Sequence, residues 1–275
     1  MIEPKCIFLE TTIQVYKVFD EEKRGKIFKI IDGKKVLTST YVEAEFKRTF
    51  LYDCIRFYNI LRVSDTVKEA INRTHRAMLL PYLKDIRKTS LKEFPVRIAQ
   101  ILNEFAEDQR KDKNRLLRLL RRLIIGRLMD KFDDRVDEKL NKTNCAIAKL
   151  KPVRKEDSYD LEIKCDKRYK NCKIGNFLTD NKNLLRKVVK GLESLPPKEK
   201  KIKSLNNFID YGKKVLSNTN EAYGKRTCWP LGDIIISLEN PIDCCLYTTN
   251  EKHFASIYQA LKRMNKNNLR IEKDY

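Results

Sequence analysis

The chain has 275 residues, of which 41% are hydrophobic and 35% charged; this composition argues against disorder and suits one elaborated domain or two ordinary ones. Its 59 Lys and Arg exceed its 38 Asp and Glu, giving a net charge of +21, so nucleic acid is the expected polyanionic partner, with a basic surface that binds none as the alternative. No apolar run approaches the ~20 residues of a membrane span and the N-terminus has no signal-peptide pattern, so we expect a cytoplasmic protein with reduced cysteines and no membrane partner.

The first predicted element is a short buried strand that turns directly into a helix. The apolar run from Cys6 to Leu9 is too short for a helix, and Glu10 ends it. Ile13 and Tyr16 then follow at helical spacing. The pattern predicts a βα unit with Glu10 at the carboxyl end of its strand.

A second helix is predicted over residues 38–62. Thr40 and Glu43 have the spacing of a capping box at its start. Glu45 lies about 200° around the helix from Glu43. We therefore expect Glu43 to serve the cap and Glu45 to remain available for chemistry.

The middle of the chain, residues 63–221, is predicted to be a mainly helical insertion, with Pro81 and Pro95 as interruptions and a loop-rich, cysteine-containing segment at about 141–183. Residues 184–218 return to a helical pattern that is broken at 196–201. Within the insertion, residues 110–127 combine an apolar face with a cationic face. The apolar face contains Leu116, Leu119, Leu120, Leu123 and Ile124, and the cationic face contains Arg115, Arg118, Arg121 and Arg122.

The cationic face has few acidic residues beside it, which favours contact with a phosphate backbone. The alternative is an ordinary solvated helix surface. We predict that this face binds nucleic acid.

The last part of the chain returns to a βα pattern. Asp233 heads a helix whose apolar face includes Ile234 and Leu238 and which Pro241 ends. A strand over residues 244–247 follows, and Thr248, Thr249 and Asn250 form its polar exit before another helix.

Open α/β sheets bind ligands beyond the carboxyl ends of their strands. If the first and last βα units share one parallel sheet, Glu10, Asn250 and Asp233 meet at one edge, and Glu45 reaches it from the second helix. Hydrolysis of a phosphodiester needs an activated water and neutralised charge, which Mg²⁺ or Mn²⁺ held by carboxylates can supply. Each residue also has an ordinary reading, as a helix cap, a turn residue or a surface acid.

Four segments of this sequence resemble the PIN-domain family of metal-dependent nucleases: IFLETTIQVY, the stretch from Ser39 to Glu45, LGDIIISLE and LYTTNEKHF. The resemblance implies a parallel-sheet core with helices on both faces, formed by residues 1–62 and 222–275. It implies that Glu10, Glu45, Asp233 and Asn250 are the catalytic residues, the three acids being ligands of Mg²⁺ or Mn²⁺. It also implies an endoribonuclease that hydrolyses RNA.

Two positions depart from the family pattern, because Glu10 stands where an aspartate is usual and Asn250 stands in place of an aspartate. A PIN-like protein that binds RNA without cutting it is therefore an alternative. A toxin blocked by a small antitoxin protein is another, although the chain is longer than the usual toxin.

Several side chains beside the predicted site are candidates for contact with RNA phosphates. Thr11 and Thr249 carry hydroxyl groups, and His253 lies three residues after Asn250. The alternative for His253 is simple packing beside Phe254.

The cysteines raise a separate possibility. Six residues separate Cys165 from Cys172, a wider spacing than in most zinc knuckles, and Cys145 and Cys228 lie further away, one before and one after this pair. A structural Zn²⁺ at these four residues is one reading, and unrelated reduced thiols are the other. Cys6, Cys244 and Cys245 lie on predicted strands, where they are expected to fill the core.

Overall fold

The computed structural model describes residues 4–76, 88–163, 165, 172–196, 203–224, 226–263 and 268–272. Across these ranges five of the strands form one parallel sheet in the order β3-β2-β1-β6-β7, and β4 and β5 form a separate antiparallel hairpin. The strands are β1 (Cys6–Leu9), β2 (Lys35–Ser39), β3 (Glu138–Leu140), β4 (Val153–Lys155), β5 (Ser158–Asp160), β6 (Cys245–Thr248) and β7 (Leu269–Ile271).

Helices make up most of the remaining described chain. π-Helical turns at Lys47–Leu51 and Leu123–Arg127 extend α3 and α8, and short 3₁₀ turns lie at Ala146–Lys149, Thr219–Ala222 and Trp229–Leu231. The α-helices are α1 (Thr11–Phe19), α2 (Glu21–Ile31), α3 (Thr40–Phe46), α4 (Tyr52–Arg62), α5 (Val67–Arg76), α6 (Lys88–Asn103), α7 (Glu107–Lys111), α8 (Lys113–Arg122), α9 (Leu128–Asp133), α10 (Ile174–Asp180), α11 (Lys182–Glu193), α12 (Lys203–Ser217), α13 (Gly232–Glu239) and α14 (Glu251–Ala260).

The central strand β1 is buried on both faces. Ile7 and Leu9 pack with Ile27 and Ile31 of α2, whereas Phe8 belongs to the larger core that α3, α13 and α14 share. Alternate residues of a strand point to opposite faces of its sheet, so helices cover both faces. The prediction of an α/β fold with a parallel sheet is confirmed.

The order of the strands creates a switch point between β1 and β6. From β1 the chain moves outward to β2, and from β6 it moves outward to β7 on the other side. Ligands of open α/β sheets bind beyond the carboxyl ends of the strands at such a point. Glu10 follows β1 there, and Thr249 and Asn250 follow β6.

The range predicted to be an insertion also contributes to the sheet and to the core. Its strand β3 pairs with β2, with Thr38 opposite Lys139. The buried Lys17 of α1 donates from Nζ to the carbonyl oxygens of Phe132 and Asp134, both at 2.7 Å. The three residues of β3 are exposed or half-exposed, so they show no apolar pattern from which this edge strand could be predicted.

The predicted capping box at Thr40 is wrong. Thr38 and Ser39 belong to β2, and the hydroxyl of Ser39 accepts the N–H of Val42 at 3.2 Å, so the cap lies one residue earlier. Glu43 is buried and pairs with Lys47 and Lys139 at 2.8 and 3.1 Å. The ion pairs satisfy its carboxylate, so that Glu43 has no part in the cap.

Pro95 does not interrupt its helix, contrary to expectation, because α6 continues through it. Phe94 and Ile98 are buried on either side, and this burial offsets the ~3 kcal/mol that an internal proline costs. Pro81 and most of the predicted break at 196–201 lie outside the described residues. None of the helices in the described part of the chain has both the length and the apolar character needed to cross a membrane.

The expectation that all cysteines are reduced is wrong for two of them. Cys6 of β1 and Cys244, which precedes β6, form a disulfide with their Cα atoms 4.6 Å apart. The pairing of β1 with β6 places these neighbours side by side at the amino ends of the two strands. Cys245 is free and buried, as expected for a core residue.

Candidate active site

Glu10 lies between β1 and α1 and caps the helix. Its carboxylate accepts the backbone N–H of Thr12 at 2.9 Å and also accepts from the Thr12 hydroxyl. The residue is only 2% exposed. Burial raises the pKa of Glu10 from 4.5 to about 7, against the hydrogen bonds from Thr12, and the negative charge of Asp233 raises it further.

Asp233 lies in the first turn of α13 and is contacted by Asn250, at the exit of β6, and by His253 of α14. Asn250 donates from Nδ2 to its Oδ2 at 3.3 Å, and the same oxygen lies 2.5 Å from Nδ1 of His253. The Asp233 side chain keeps 21% of its surface exposed. The structure therefore brings Glu10, Asp233 and Asn250 together, as predicted from the sequence.

Threonines join the two strand ends. The hydroxyls of Thr12 and Thr249 lie 2.9 Å apart, and the hydroxyl of Thr248 accepts the N–H of Asn250 at 2.9 Å. These contacts hold the exits of β1 and β6 in one arrangement.

Glu45 reaches the same edge from α3. The hydroxyl of Thr11 donates to its Oε2 at 2.6 Å, and Nη2 of Arg48 donates to its Oε1 at 2.6 Å. A side chain at Gly232 would place its Cβ 3.4 Å from Oε1 of Glu45, so the carboxylate lies against the start of α13. Thr11, which is predicted to contact RNA, donates its hydroxyl hydrogen to this carboxylate.

The ion pair with Arg48 limits the role of Glu45 as a metal ligand. Across the ranges that the structure describes, no three His, Cys, Asp or Glu side chains, as they are placed, form a group able to hold one metal ion. Glu10, Glu45 and Asp233 therefore do not form a ready-made set of three ligands. Two carboxylates and several waters are nevertheless an ordinary environment for Mg²⁺. The buried carboxylate of Glu10, whose ionisation Asp233 opposes, is a group that a cation would stabilise.

His253 is held on both sides of its ring. Nδ1 faces Asp233, Nε2 lies 2.6 Å from the hydroxyl of Ser204, and the ring meets Phe208 edge-on at 5.2 Å. With Nδ1–H donating to Asp233, Nε2 accepts from Ser204. Ser204 lies 49 residues earlier in the chain, and no local pattern in the sequence indicates its role.

The cationic face of α8 is exposed, and its apolar face is buried. Leu116, Leu120, Leu123 and Ile124 are buried and Leu119 is half-buried, while Arg115, Arg118, Arg121 and Arg122 are exposed. Arg115 pairs with Asp108 at 2.8 Å. The amphipathic prediction for this helix is confirmed, and Arg118, Arg121 and Arg122 lie on its exposed face.

The four cysteines predicted as possible zinc ligands line one small cavity, together with Arg48 and Trp229. They are Cys145, Cys165, Cys172 and Cys228, and all are free thiols. Arg48 therefore lies between this cavity and Glu45. Its guanidinium stands 4.7 Å from the ring centroid of Trp229.

Comparisons of the chain with protein-family models, with curated proteins and with solved structures found no match.

Proposed function

We propose that the protein is a metal-dependent endoribonuclease that hydrolyses RNA phosphodiester bonds at the carboxyl edge of its parallel sheet. The observation that carries this proposal is the placement of the Glu10 carboxylate near that of Asp233, to which Asn250 donates, at the switch point between β1 and β6. A buried carboxylate whose ionisation a neighbouring acid opposes favours a cation beside it.

In this proposal Glu10 and Asp233 hold Mg²⁺ or Mn²⁺, and Asn250 orients the metal ion or a water beside it. A divalent ion in such a site activates water and neutralises charge on the phosphate. Ser204 and Asp233 orient the ring of His253. In this proposal the ring gives a proton to, or takes one from, a reacting group of the substrate bound beside Asp233. Glu45 acts from the second helix, and Thr11 and Arg48 fix the direction of its carboxylate.

The basic surface gathers the substrate. The net charge of +21 and the exposed arginines of α8 favour a long polyanion over a small anionic metabolite. The choice of RNA over DNA rests on the resemblance to PIN-domain nucleases.

One observation favours a second candidate, an RNA-binding protein with this fold that does not cut. Arg48 neutralises the carboxylate of Glu45, so one of the predicted ligands already has a cationic partner. In that case the acids serve the structure, and the α8 arginines remain the functional surface. A toxin inhibited by a partner protein is the third candidate, and an acidic partner suits a chain of this charge.

Cleavage of end-labelled single-stranded RNA separates these candidates. We expect cleavage with Mn²⁺ or Mg²⁺ and none with EDTA, and a loss of at least about 100-fold in Asp233→Asn and Glu10→Gln. Glu251→Gln is the matched control, because Glu251 is an exposed acid at the start of α14, next to Asn250.

Full activity in both Asp233→Asn and Glu10→Gln would rule out the proposed site. Tight RNA binding without cleavage under any metal would favour the RNA-binding candidate. The same assay with DNA of matching sequence tests the choice of substrate.

A further inference from the structure

Four of the six free cysteines come together in one place, although they are far apart in the chain. Cys145 precedes a 3₁₀ turn, Cys172 lies just before α10, Cys228 lies before the turn that leads into α13, and Cys165 comes from the segment between β5 and α10. They line a cavity of about 20 Å³. We propose that these four cysteines bind one structural zinc ion, and this proposal does not rest on the proposed nuclease activity.

Backbone N–H groups favour the ionised form of three of the sulphurs. The N–H of Ile147 lowers the pKa of Cys145, the N–H of Ile174 lowers that of Cys172, and the N–H of Gly224 lowers that of Cys165, in each case against the larger effect of burial. In the first two cases the donor lies two residues after the cysteine. Such donors favour a thiolate over a thiol, and they are the kind of supporting contact that metal-bound ligands carry.

Trp229 adds a further donor. Its indole N–H is buried and has no hydrogen-bond partner with full bonding geometry in the part of the chain that the structure describes. It is directed towards Cys165, where it favours the thiolate. A buried donor without a partner destabilises the fold, and an anionic sulphur would satisfy it.

The charge of the surroundings also suits a metal thiolate centre. Four thiolates and Zn²⁺ carry a net charge of −2, which is costly to bury without a counter-charge. Arg48 lines the cavity, its side chain is 5% exposed, and its charge favours the thiolate forms of Cys145, Cys165 and Cys228. One fixed cation is thus already present.

Without a metal, burial opposes ionisation of all four thiols. Burial raises the pKa of Cys145 to about 11, and it also raises the pKa values of Cys165, Cys172 and Cys228. Zinc must therefore displace protons, and its affinity rises with pH. The sulphurs as placed do not form a coordination set among the described residues, so zinc binding requires these side chains to move closer together.

The site would fasten the polar middle segment to the core. Cys145 packs with Ala44 of α3 and with Ile147 and Ala148, and Trp229 packs beside them. A zinc ion here joins four pieces of chain around α3 and the start of α13. These are the two helices that carry Glu45 and Asp233.

The metal content of the full chain tests the proposal. The protein is purified without chelator, dialysed, and analysed by plasma mass spectrometry. We expect about one zinc per chain, released when a mercurial reagent modifies the thiols. Absence of zinc, both as purified and after refolding with excess Zn²⁺, would overturn the proposal, as would disulfides between any of the four cysteines by peptide mapping.

Variants assign the ligands. Cys165→Ser and Cys172→Ser are expected to lose the zinc, whereas Cys54→Ser, which alters a fully buried cysteine on α4 outside the cavity, is expected to keep it. Should the cavity variants fail to fold, Co²⁺ titration of the unaltered chain decides. The intense sulphur-to-cobalt absorption of a tetrahedral thiolate site supports the proposal, and a spectrum without it contradicts the proposal.

Discussion

Arg48 and Glu45 form an ion pair, 2.6 Å from Nη2 to Oε1, and this pair separates two different environments. On one side lies the acidic edge of the sheet, where Thr11 also donates to Glu45. On the other side lies the cavity lined by cysteines and by Trp229. Because the guanidinium is buried between them, a change in either environment is expected to affect the other.

Removal of Arg48 is expected to destabilise the fold. Arg48→Met leaves Glu45 partly buried without its cation, so we expect the free energy of unfolding to fall by roughly 2–3 kcal/mol in urea denaturation. The double variant Arg48→Met/Glu45→Gln should recover most of that loss. Arg115→Met breaks the exposed pair with Asp108 and should cost less than about 1 kcal/mol. Equal losses in the two single variants would contradict the buried-pair interpretation.

Ser204 is expected to position His253 rather than to act as a nucleophile. Ser204→Ala removes a hydroxyl 2.6 Å from Nε2 of His253, so we expect RNA cleavage to fall about 10-fold with a change in its pH profile. Ser217→Ala, at the far end of the same helix, is the matched control. Complete loss of activity together with covalent labelling of Ser204 by a fluorophosphonate would instead indicate a Ser–His–Asp hydrolase.

The cationic face of α8 is expected to bind phosphates. The triple variant Arg118→Ala/Arg121→Ala/Arg122→Ala should weaken binding of single-stranded RNA and reduce the salt dependence of log K by up to about 2. Its stability should stay within about 1 kcal/mol, because all three side chains are exposed.

A control triple variant on α11 removes the same charge from another exposed face, at Arg186, Lys187 and Lys190. We expect it to have the smaller effect on both affinity and salt dependence. Equal effects of the two triple variants would show that total charge, and not the α8 surface, determines binding.

Glu239 is expected to make stability depend on pH. It is fully buried at the end of α13, near the hydroxyls of Ser39 and Thr143, and burial raises its pKa from 4.5 to about 7. Between these two values the folded state binds more protons than the unfolded state, so the free energy of unfolding falls as pH rises. The contribution is on the order of 3 kcal/mol across that window.

Glu239→Gln should flatten this dependence. Denaturation at several pH values between 4.5 and 8 measures it, and Glu251→Gln, which alters an exposed acid, should leave the slope unchanged. The shifted pKa of Glu10 contributes a slope of the same sign in every variant that keeps Glu10. A slope in Glu239→Gln as steep as in the unaltered chain would contradict the prediction.

The sequence by itself determined the local elements around the carboxyl ends of the central strands β1 and β6, and the two faces of α8. Periodicity predicts four features to within a few residues of their observed bounds. They are the apolar run of β1, the start of α13 at residue 232, the polar exit of β6 and the two faces of α8, and each agrees with the structure. Placement of Glu10 and Asn250 at one sheet edge required a single further assumption, that β1 and β6 run parallel. Local pattern carries this information because side-chain direction repeats with the period of a strand or helix.

Tertiary structure alone decided the partners of those residues. No pattern in the sequence indicates the contact of Arg48 with Glu45, the contact of Ser204 with His253, the pairing of β3 with β2 or the Cys6–Cys244 disulfide. The sequence offered the four cysteines as one site only as an alternative to unrelated thiols, and the fold brings them to one cavity. Thr11 and Glu45 are 34 residues apart, and Ser204 and His253 are 49 residues apart. Contacts at such separations depend on how the buried faces of all the helices pack together, because burial and not local spacing provides most of the free energy that fixes them.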